Sequence, residues 1–300
     1  MQVIQTIEDR EIHDSAVEAA ACANCREPLQ GDYCSRCGQR ARNIRRPFGE
    51  LLGSLLEDVF SLDSRLVRTV RPLVSSPGQV THEYLAGHRV LHVPPLKAYL
   101  FAALIFFGLF TLFPSDAEVA VFTEGTAEAA AAADGPPGTR VTFALPAHVP
   151  FYDEEFQAVS ARARANPEAF VSAFYRNIPR AFFLFLPMFA LLLELFYRQE
   201  GYYIDHLIFS LYYHAFVFLA FAALFVVGHT RAWLTGWVTL PLNLALMAWL
   251  VAYLPVALRR VYGGSRLKTA AKTAGLAVLY LAVFVMIGLP LVTAAAMLTF

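Results

Sequence analysis

Apolar residues gather in long runs after residue 95, and five of these runs have the length of a membrane-spanning helix. A bilayer core about 30 Å thick requires about 20 residues of α-helix. The pattern therefore predicts an all-α polytopic membrane protein with about five transmembrane helices, surrounded by a lipid bilayer. The predicted spans are residues 96–113, 178–197, 207–227, 234–254 and 274–298.

The region of residues 47–95 has a different period. Between Phe48 and Leu73, apolar residues recur every three or four positions and charged residues occupy the opposite side, which is typical of an amphipathic helix. Pro47 suits its first turn, and Pro77-Gly78 breaks the chain after it. This helix carries too many charges to span a bilayer. We expect it to lie in the membrane interface or to pack against the spans.

The composition supports the membrane class and narrows the function. Hydrophobic residues make up 57% of the 300 residues and charged residues only 16%, whereas soluble domains carry about 25% charged residues. The 24 basic side chains balance 24 acidic ones, so the overall charge does not favour binding to nucleic acid. The chain contains no P-loop, GxSxG or HExxH motif. We therefore predict no catalytic residues and do not expect an enzyme.

All four cysteines fall within 16 residues, as two Cys-x-x-Cys pairs. Four thiolates at this spacing suit the tetrahedral coordination of Zn²⁺, and four protein ligands leave no open position for catalysis. The pattern predicts a small ribbon around a structural zinc ion. The predicted ligands are Cys22, Cys25, Cys34 and Cys37.

Other chemistries use the same residues. Two disulfides would need an oxidising compartment, and an iron–sulfur cluster also takes four thiolates. A redox-active Cys-x-x-Cys motif would need a βαβ context, which the flanking sequence does not offer. We favour zinc because the charge pattern places this segment in the cytoplasm.

Basic residues outside the spans set the predicted orientation. The segment of residues 256–272 holds five basic residues and no acidic residue, and such segments stay on the cytoplasmic side. A basic stretch that begins at Arg36 and ends at Arg46 follows the cysteines. Contacts with RNA or with anionic lipid headgroups are the alternatives to its role as a topology signal. Both segments place the N-terminus in the cytoplasm and the C-terminus outside.

The predicted spans also define the segments of the chain that lie outside the membrane. Residues 1–21 are predicted to be a disordered lead, residues 22–46 the ribbon with its basic stretch, and residues 114–177 an external loop. In that loop we expect a small cap with one strand at residues 139–145 and one helix at residues 154–164.

An ordered set of short motifs resembles a known family. The two Cys-x-x-Cys pairs, Ser76-Pro77-Gly78, Tyr84-x-x-Gly87-x-Arg89 and Pro94-Pro95 are similar to those of the bacterial membrane proteins called domain of unknown function 3667. The resemblance implies a multi-pass protein of the bacterial cell inner membrane with a cytosolic zinc ribbon, and it implies no activity. Arg26 departs from the pattern, because a glycine often follows the first pair.

Few polar residues lie within the spans. Glu194 precedes Arg198 by four residues, which predicts an ion pair on one helix face, and Asp205 is expected to cap the third span. A hydrogen bond between His214 and Asn243 would join the third and fourth spans. The alternative is an intramembrane polar site that relays protons or ions, formed by His206, His214 and Asn243.

Histidines and prolines add two further expectations. His82, His88 and His92 lie close enough in sequence to bind a metal ion or to sense pH together, although solvated histidines are the more common outcome. Pro187, Pro241 and Pro290 interrupt three spans and are expected to kink them.

Two functions follow as hypotheses. The first is an adaptor or regulator, in which the ribbon and the basic stretch bind a cytosolic protein partner and the spans anchor it. The second is a small-solute or ion transporter or channel that uses the polar residues of the kinked spans. The sequence does not specify an oligomeric state.

Overall fold

The computed structural model describes residues 21–29, 33–39, 64–113, 118–123, 140–145, 158, 161–163, 165–230 and 236–299. Residues 1–20 of the predicted lead, residues 40–63 with the first part of the amphipathic helix, and most of the predicted external cap lie outside these ranges.

The described residues are helical apart from the cysteine turns, the connections and one pair of short strands. The helices are α1 (Ser64–Ser75), α2 (Gln79–Leu85), α3 (Pro95–Leu112), α4 (Pro167–Tyr197), α5 (Tyr203–His229), α6 (Gly236–Tyr262), α7 (Arg266–Val283) and α8 (Leu289–Thr299). A 3-10 turn (Arg89–Leu91) precedes α3, and a π-helical turn (Phe284–Gly288) joins α7 to α8.

Five helical stretches are long and apolar enough to cross a membrane, which confirms the predicted number. They are Arg89–Leu109, Ser172–Tyr197, Tyr203–His229, Gly236–Tyr262 and Arg266–Thr299. The last stretch combines α7, the π-helical turn and α8. The chain is therefore a multi-pass membrane protein.

Helix α5 lies at the centre of the bundle and packs against α3, α4 and α6. Aromatic side chains fill the interface with α3: the ring centroid of Phe218 lies 5.5 Å from that of Tyr99 and 5.4 Å from that of Phe106. Phe218 and Tyr99 are each 1% exposed. Such rings bury a large apolar area and fix the packing of the helices.

Helices α6 and α7 lie on the outside of the bundle. Large apolar side chains point away from the protein, among them Trp237 (91% exposed) and Val251 (72%) on α6 and Val278 (67%) on α7. In water a surface of this kind would be unfavourable, whereas lipid chains cover it without cost.

The three predicted helix breaks fall inside or beside helices. Pro187 lies within α4 and Pro241 within α6. Pro290 follows the π-helical turn, at which the side chain of Phe185 contacts the backbone of Gly288. A proline removes a backbone hydrogen bond one turn before it, and a π-helical turn is one way for a helix to absorb this change.

The loop between the first two spans contains a parallel strand pair, β1 (Glu118–Thr123) and β2 (Arg140–Leu145), in which Glu118 pairs with Arg140. The predicted strand at residues 139–145 is confirmed as β2, and its partner β1 was missed. The described residues between 158 and 165 are helical. The remainder of the predicted helix at residues 154–164 lies outside the described residues.

Helix α1 and the turn to α2 pack against the last turns of α6. The Tyr253 hydroxyl donates to the Leu73 carbonyl oxygen at 2.8 Å, and the Trp249 indole N–H donates to the Val74 carbonyl oxygen at 2.9 Å. Arg260 donates to the Pro77 carbonyl oxygen at 2.9 Å. These side chains satisfy carbonyl groups at and after the end of α1, which has no following helical turn to bond them.

The start of α7 meets the α4–α5 connection at the same end of the bundle, where Lys272 forms a 3.2 Å ion pair with Glu200. The basic segment of residues 256–272 therefore lies at the same end as α1 and α2. Its charges are on the ends of α6 and α7 rather than in a long loop.

Candidate metal centre

The four cysteine sulfur atoms form one compact cluster. All four lie within 4.8 Å of one another. The Sγ atoms of Cys22 and Cys37 are 3.6 Å apart, and those of Cys25 and Cys34 are 3.5 Å apart. Four sulfur atoms bound tetrahedrally to zinc at about 2.3 Å would be separated by about 3.8 Å. The donor set and its spacing therefore fit a single tetrahedral metal ion.

Two backbone turns with nearly the same geometry present the cysteines. In the first turn, the Arg26 N–H donates to the Cys22 carbonyl oxygen at 2.8 Å and the Cys22 N–H donates to the Glu27 carbonyl oxygen at 2.9 Å. In the second turn, the corresponding bonds run from Gly38 to Cys34 at 2.9 Å and from Cys34 to Gln39 at 2.8 Å. The sequence repeat thus becomes a structural repeat around the sulfur cluster.

Arg26 keeps the turn geometry in spite of its side chain. Its φ is 62°, and Gly38 at the equivalent place in the second turn has a φ of 70°. The left-handed region costs a residue with a Cβ atom about 1 kcal/mol or more, and costs glycine almost nothing. The departure at Arg26 therefore strains the first turn.

Replacing Arg26 by glycine is expected to tighten metal binding about fivefold relative to alanine at the same position, because only glycine removes the backbone strain of about 1 kcal/mol. Both variants delete the same charged side chain, so their difference isolates the backbone. Competition with a chromophoric chelator on the purified full-length chain measures the two affinities.

The second turn provides the reciprocal control. An added Cβ at Gly38 would have no atom within 4 Å, so Gly38→Ala introduces backbone strain alone and should weaken binding by a similar factor. Equal affinities for the glycine and alanine variants at position 26 would show that the turn carries no such strain.

The surroundings of the cysteines shift the pKa values of two thiols in opposite directions. Burial raises the pKa of Cys37, but hydrogen bonds from the Gln39 backbone and the Asn24 side chain outweigh this effect and lower it to about 6. The Glu27 backbone hydrogen bond lowers the pKa of Cys25, but burial and the neighbouring thiols raise it to about 12. Four sulfur atoms this close do not all ionise easily unless a cation is bound among them.

The cysteine cluster docks on the loop after α2. The Gln39 side chain, which is 8% exposed, donates to the Gly87 carbonyl oxygen at 2.7 Å. Gly87 has a φ of 99°, and a Cβ atom there would lie 2.7 Å from the Ala23 Cβ. Only glycine allows both this backbone conformation and this close approach.

The segment that receives the cluster has its own polar network. Glu83 accepts a hydrogen bond from Gln79 at 2.8 Å and lies 2.6 Å from the Nε2 atom of His92. Burial raises the pKa of Glu83, but these two contacts lower it overall. Farther along, the Val93 N–H donates to the Thr69 hydroxyl at 2.9 Å. The network fixes α1, α2 and the start of α3 relative to one another.

The three histidines of this segment do not gather around one point. His92 is buried beside Glu83, whereas His82 is exposed. In the part of the chain that the structure describes, the cysteines are the one group of three or more potential ligands close enough to hold a metal ion. A metal site formed by His82, His88 and His92 is therefore not found.

His206 lies at the end of the bundle that carries α1 and α2. It is fully buried, its Nδ1 atom lies 2.7 Å from the Tyr262 hydroxyl, and its Nε2 atom lies 3.3 Å from the Glu194 carboxylate. The predicted pair of Glu194 with Arg198 is wrong, because Glu194 faces His206 across the helix interface instead. Asp205 accepts a hydrogen bond from the Tyr202 N–H at 3.0 Å, as expected of a residue that caps α5.

His214 joins two helices, but through a different partner from the one expected. Its Nδ1 atom lies 2.8 Å from the Ser210 carbonyl oxygen and its Nε2 atom lies 2.8 Å from the Tyr280 hydroxyl on α7. Both ring nitrogens are thus occupied, and the predicted hydrogen bond with Asn243 is not formed. Asn243 lies on α6, where it is partly exposed. Tyr262 and Tyr280 were the partners that the sequence analysis did not name.

Five membrane-length helices and a four-cysteine cluster define the class, a multi-pass membrane protein with a candidate metal centre. Residues 63–107 match the model of a family described as a protein of unknown function, DUF3667. The match covers α1, α2 and most of α3, the segment on which the cysteine cluster docks, and it supports the family resemblance there. No curated protein and no solved structure matches the chain.

Proposed function

We propose that this protein is a membrane-anchored adaptor of the bacterial inner membrane, whose zinc ribbon presents a binding surface to a cytosolic protein. Zinc is the ion that best suits four thiolates at the observed separations, and a closed four-ligand site suits a structural role. The metal would supply the folding free energy that so short a segment lacks.

The placement of basic residues supports a cytoplasmic ribbon. The ribbon docks at Gly87, and Arg259, Arg260, Arg266, Lys268 and Lys272 lie at the same end of the bundle. Positive charges next to spans remain in the cytoplasm. The N-terminus would then be cytoplasmic, and an odd number of spans would leave the C-terminus outside.

The one-sided docking of the ribbon carries the adaptor proposal. Gln39 and Ala23 hold it against Gly87, while Tyr33 is 59% exposed and the Arg36 side chain, which pairs with Glu27 at 3.5 Å, is still 69% exposed. A ribbon fixed to the membrane body on one side presents its other side in a constant orientation. An exposed tyrosine and arginine suit a partner with an acidic docking surface, since both residue types are enriched at protein interfaces.

The polar residues of the spans favour this role over transport. His206 and His214 bond to tyrosines on α6 and α7, and neither histidine contacts Asn243 among the described residues. Histidines bonded in this way hold helices together. A transporter that used all three residues would need a connected route between them.

The test is affinity purification of the full-length protein from cells after in-cell crosslinking. Arg36→Glu should reduce recovery of the cytosolic partner at least about tenfold, because a reversed charge is placed against an acidic surface, while metal content is unchanged. Arg68→Glu makes the same charge change at an exposed position of α1 and should retain the partner. Identical partner sets for the native protein, Arg36→Glu and Cys34→Ser would overturn the adaptor role.

A further inference from the structure

A cavity of about 580 Å³ opens between the last turns of α6 and the first turns of α7. It lies at the end of the bundle that carries α1 and α2. Its volume is within the range of about 300–1,000 Å³ that small-molecule sites occupy. The residues that line it are Pro255, Val256, Arg259, Arg260, Arg266 and Thr269.

Three guanidinium groups line this cavity and no carboxylate does. Among the described residues, neither Arg259 nor Arg266 has an acidic partner, and Arg260 donates to the neutral carbonyl oxygen of Pro77. The first turn of α7 also contains no acidic residue. Positive charges around one cavity repel one another, and an anion bound among them would relieve this repulsion.

Thr269 provides an independent sign of a ligand. The residue is only 4% exposed, yet it lines the cavity, and its hydroxyl oxygen is not among the fully buried polar atoms that lack a partner, so this oxygen is accessible from the cavity. A hydroxyl that is accessible from a cavity can donate to a ligand there without first breaking a hydrogen bond within the protein. A hydroxyl beside three arginines is a suitable donor to a phosphate oxygen.

The part of the cavity nearer the middle of the fourth span is apolar. Pro255 and Val256 lie one helical turn before Arg259 and Arg260, toward the middle of the fourth span, and Val256 is 45% exposed. A free phosphate ion would gain nothing from this apolar part. A phospholipid would place its headgroup among the arginines and an acyl chain along Pro255 and Val256.

We propose that this cavity binds the phosphate headgroup of an anionic phospholipid from the leaflet next to the ribbon. Arg259 and Arg266 contact the phosphate from two different helices, and the Thr269 hydroxyl donates to it. The bound lipid therefore fastens α7 to α6 at their shared end. Because Arg260 also holds the Pro77 carbonyl oxygen, the site lies directly beside the segment that receives the ribbon.

The experiment measures binding to the purified full-length protein in detergent, by native mass spectrometry and by the shift in apparent Tm. Phosphatidylglycerol should bind and raise the Tm, whereas phosphatidylcholine and inorganic phosphate at equal concentration should do neither. The double variant Arg259→Gln/Arg266→Gln should weaken phosphatidylglycerol binding at least about tenfold, because two charge-assisted contacts are lost.

The matched control is the double variant Arg198→Gln/Lys268→Gln, which removes two positive charges at the same end of the bundle but outside the cavity. This variant should bind phosphatidylglycerol as the native protein does. Equal losses in both double variants would show a diffuse charge effect and overturn the proposal. An equal response to inorganic phosphate would show an anion site that is not a lipid site.

Thr269→Val keeps the charge and nearly the volume of the site. It tests the proposal if the arginine variant does not fold. We expect a loss of about threefold or more from the missing hydrogen bond. Unchanged phosphatidylglycerol binding in this variant would contradict the placement of the phosphate beside Thr269.

Discussion

Cys34→Ser is expected to remove the metal from the protein, so that the content falls from about one ion per chain to almost none after dialysis against a chelator. Cys34 is 2% exposed and its Sγ lies 3.5 Å from that of Cys25, and among the described residues only the four cysteines belong to this group of potential ligands. Binding of a structural zinc ion contributes about 10–16 kcal/mol of free energy. Loss of one of the four ligands should remove about a quarter of it, or about 3 kcal/mol, which lowers the affinity for the metal at least about a hundredfold.

Elemental analysis of the purified full-length protein measures this change, with Ser35→Ala as an exposed neighbour that should keep its metal. The membrane body should unfold at nearly the native temperature in Cys34→Ser, because the ribbon contacts it around Gly87 and not through the α5 core. A Cys34→Ser protein that retained a full complement of zinc would contradict the four-cysteine site. If elemental analysis found iron in the native protein, the proposed metal would be iron and not zinc.

Gly78→Ala is expected to destabilise the membrane body by about 3 kcal/mol, the larger part from overpacking and the remainder from backbone strain. Gly78 has a φ of 74°, and an added Cβ would lie 2.8 Å from the carbonyl oxygen and 2.9 Å from the Cα of Ala257. Both are backbone atoms of α6, which cannot move aside as a flexible side chain can. The turn between α1 and α2 would have to separate from α6 and lose the hydrogen bond from Arg260.

Gly263→Ala is the matched control, because Gly263 also has a φ of 74° but nothing lies within 4 Å of the added Cβ. It should cost only about 1 kcal/mol, from backbone strain. The apparent Tm of the detergent-solubilised proteins compares the two variants. Equal decreases would show that Gly78 is required for its backbone conformation alone and not for the contact with α6.

The spans could be predicted because their signal is local. Each consists of about 20 or more apolar residues, and a backbone in lipid must satisfy its hydrogen bonds within the helix. The ends differ in both directions: Tyr203–His229 extends the predicted 207–227 at both ends, whereas Arg89–Leu109 begins and ends before the predicted 96–113. Strand β1 was missed because six residues that pair in parallel with a strand 22 positions away carry no local signal.

The cysteine cluster could be predicted for the same reason, since two Cys-x-x-Cys pairs close together in sequence already suggest four candidate ligands and their approximate geometry. The site on which the cluster docks could not be predicted from residues close to the cysteines in sequence. Gln39 and Gly87 are 48 residues apart, and neither residue is distinctive until the structure brings them together. The sequence analysis noted Gly87 and Arg26 only as parts of a motif.

The partners of the polar residues in the spans were the least predictable feature. Glu194 was paired with Arg198 on its own helix, and His214 with Asn243 on the next one. The structure places Glu194 beside His206 and bonds His214 to Tyr280. A helix that is apolar on all sides does not indicate which face meets which neighbour.

The sequence by itself determined the number of spans, the four candidate sulfur ligands and the segments of basic charge, because each depends on residues that are close along the chain. Only the tertiary structure decided that the ribbon rests on Gly87, that α5 is the central helix and that arginines of α6 and α7 share one cavity. These contacts join residues far apart in sequence. They depend on the complementary shapes of helix faces, which an apolar sequence pattern does not encode one residue at a time.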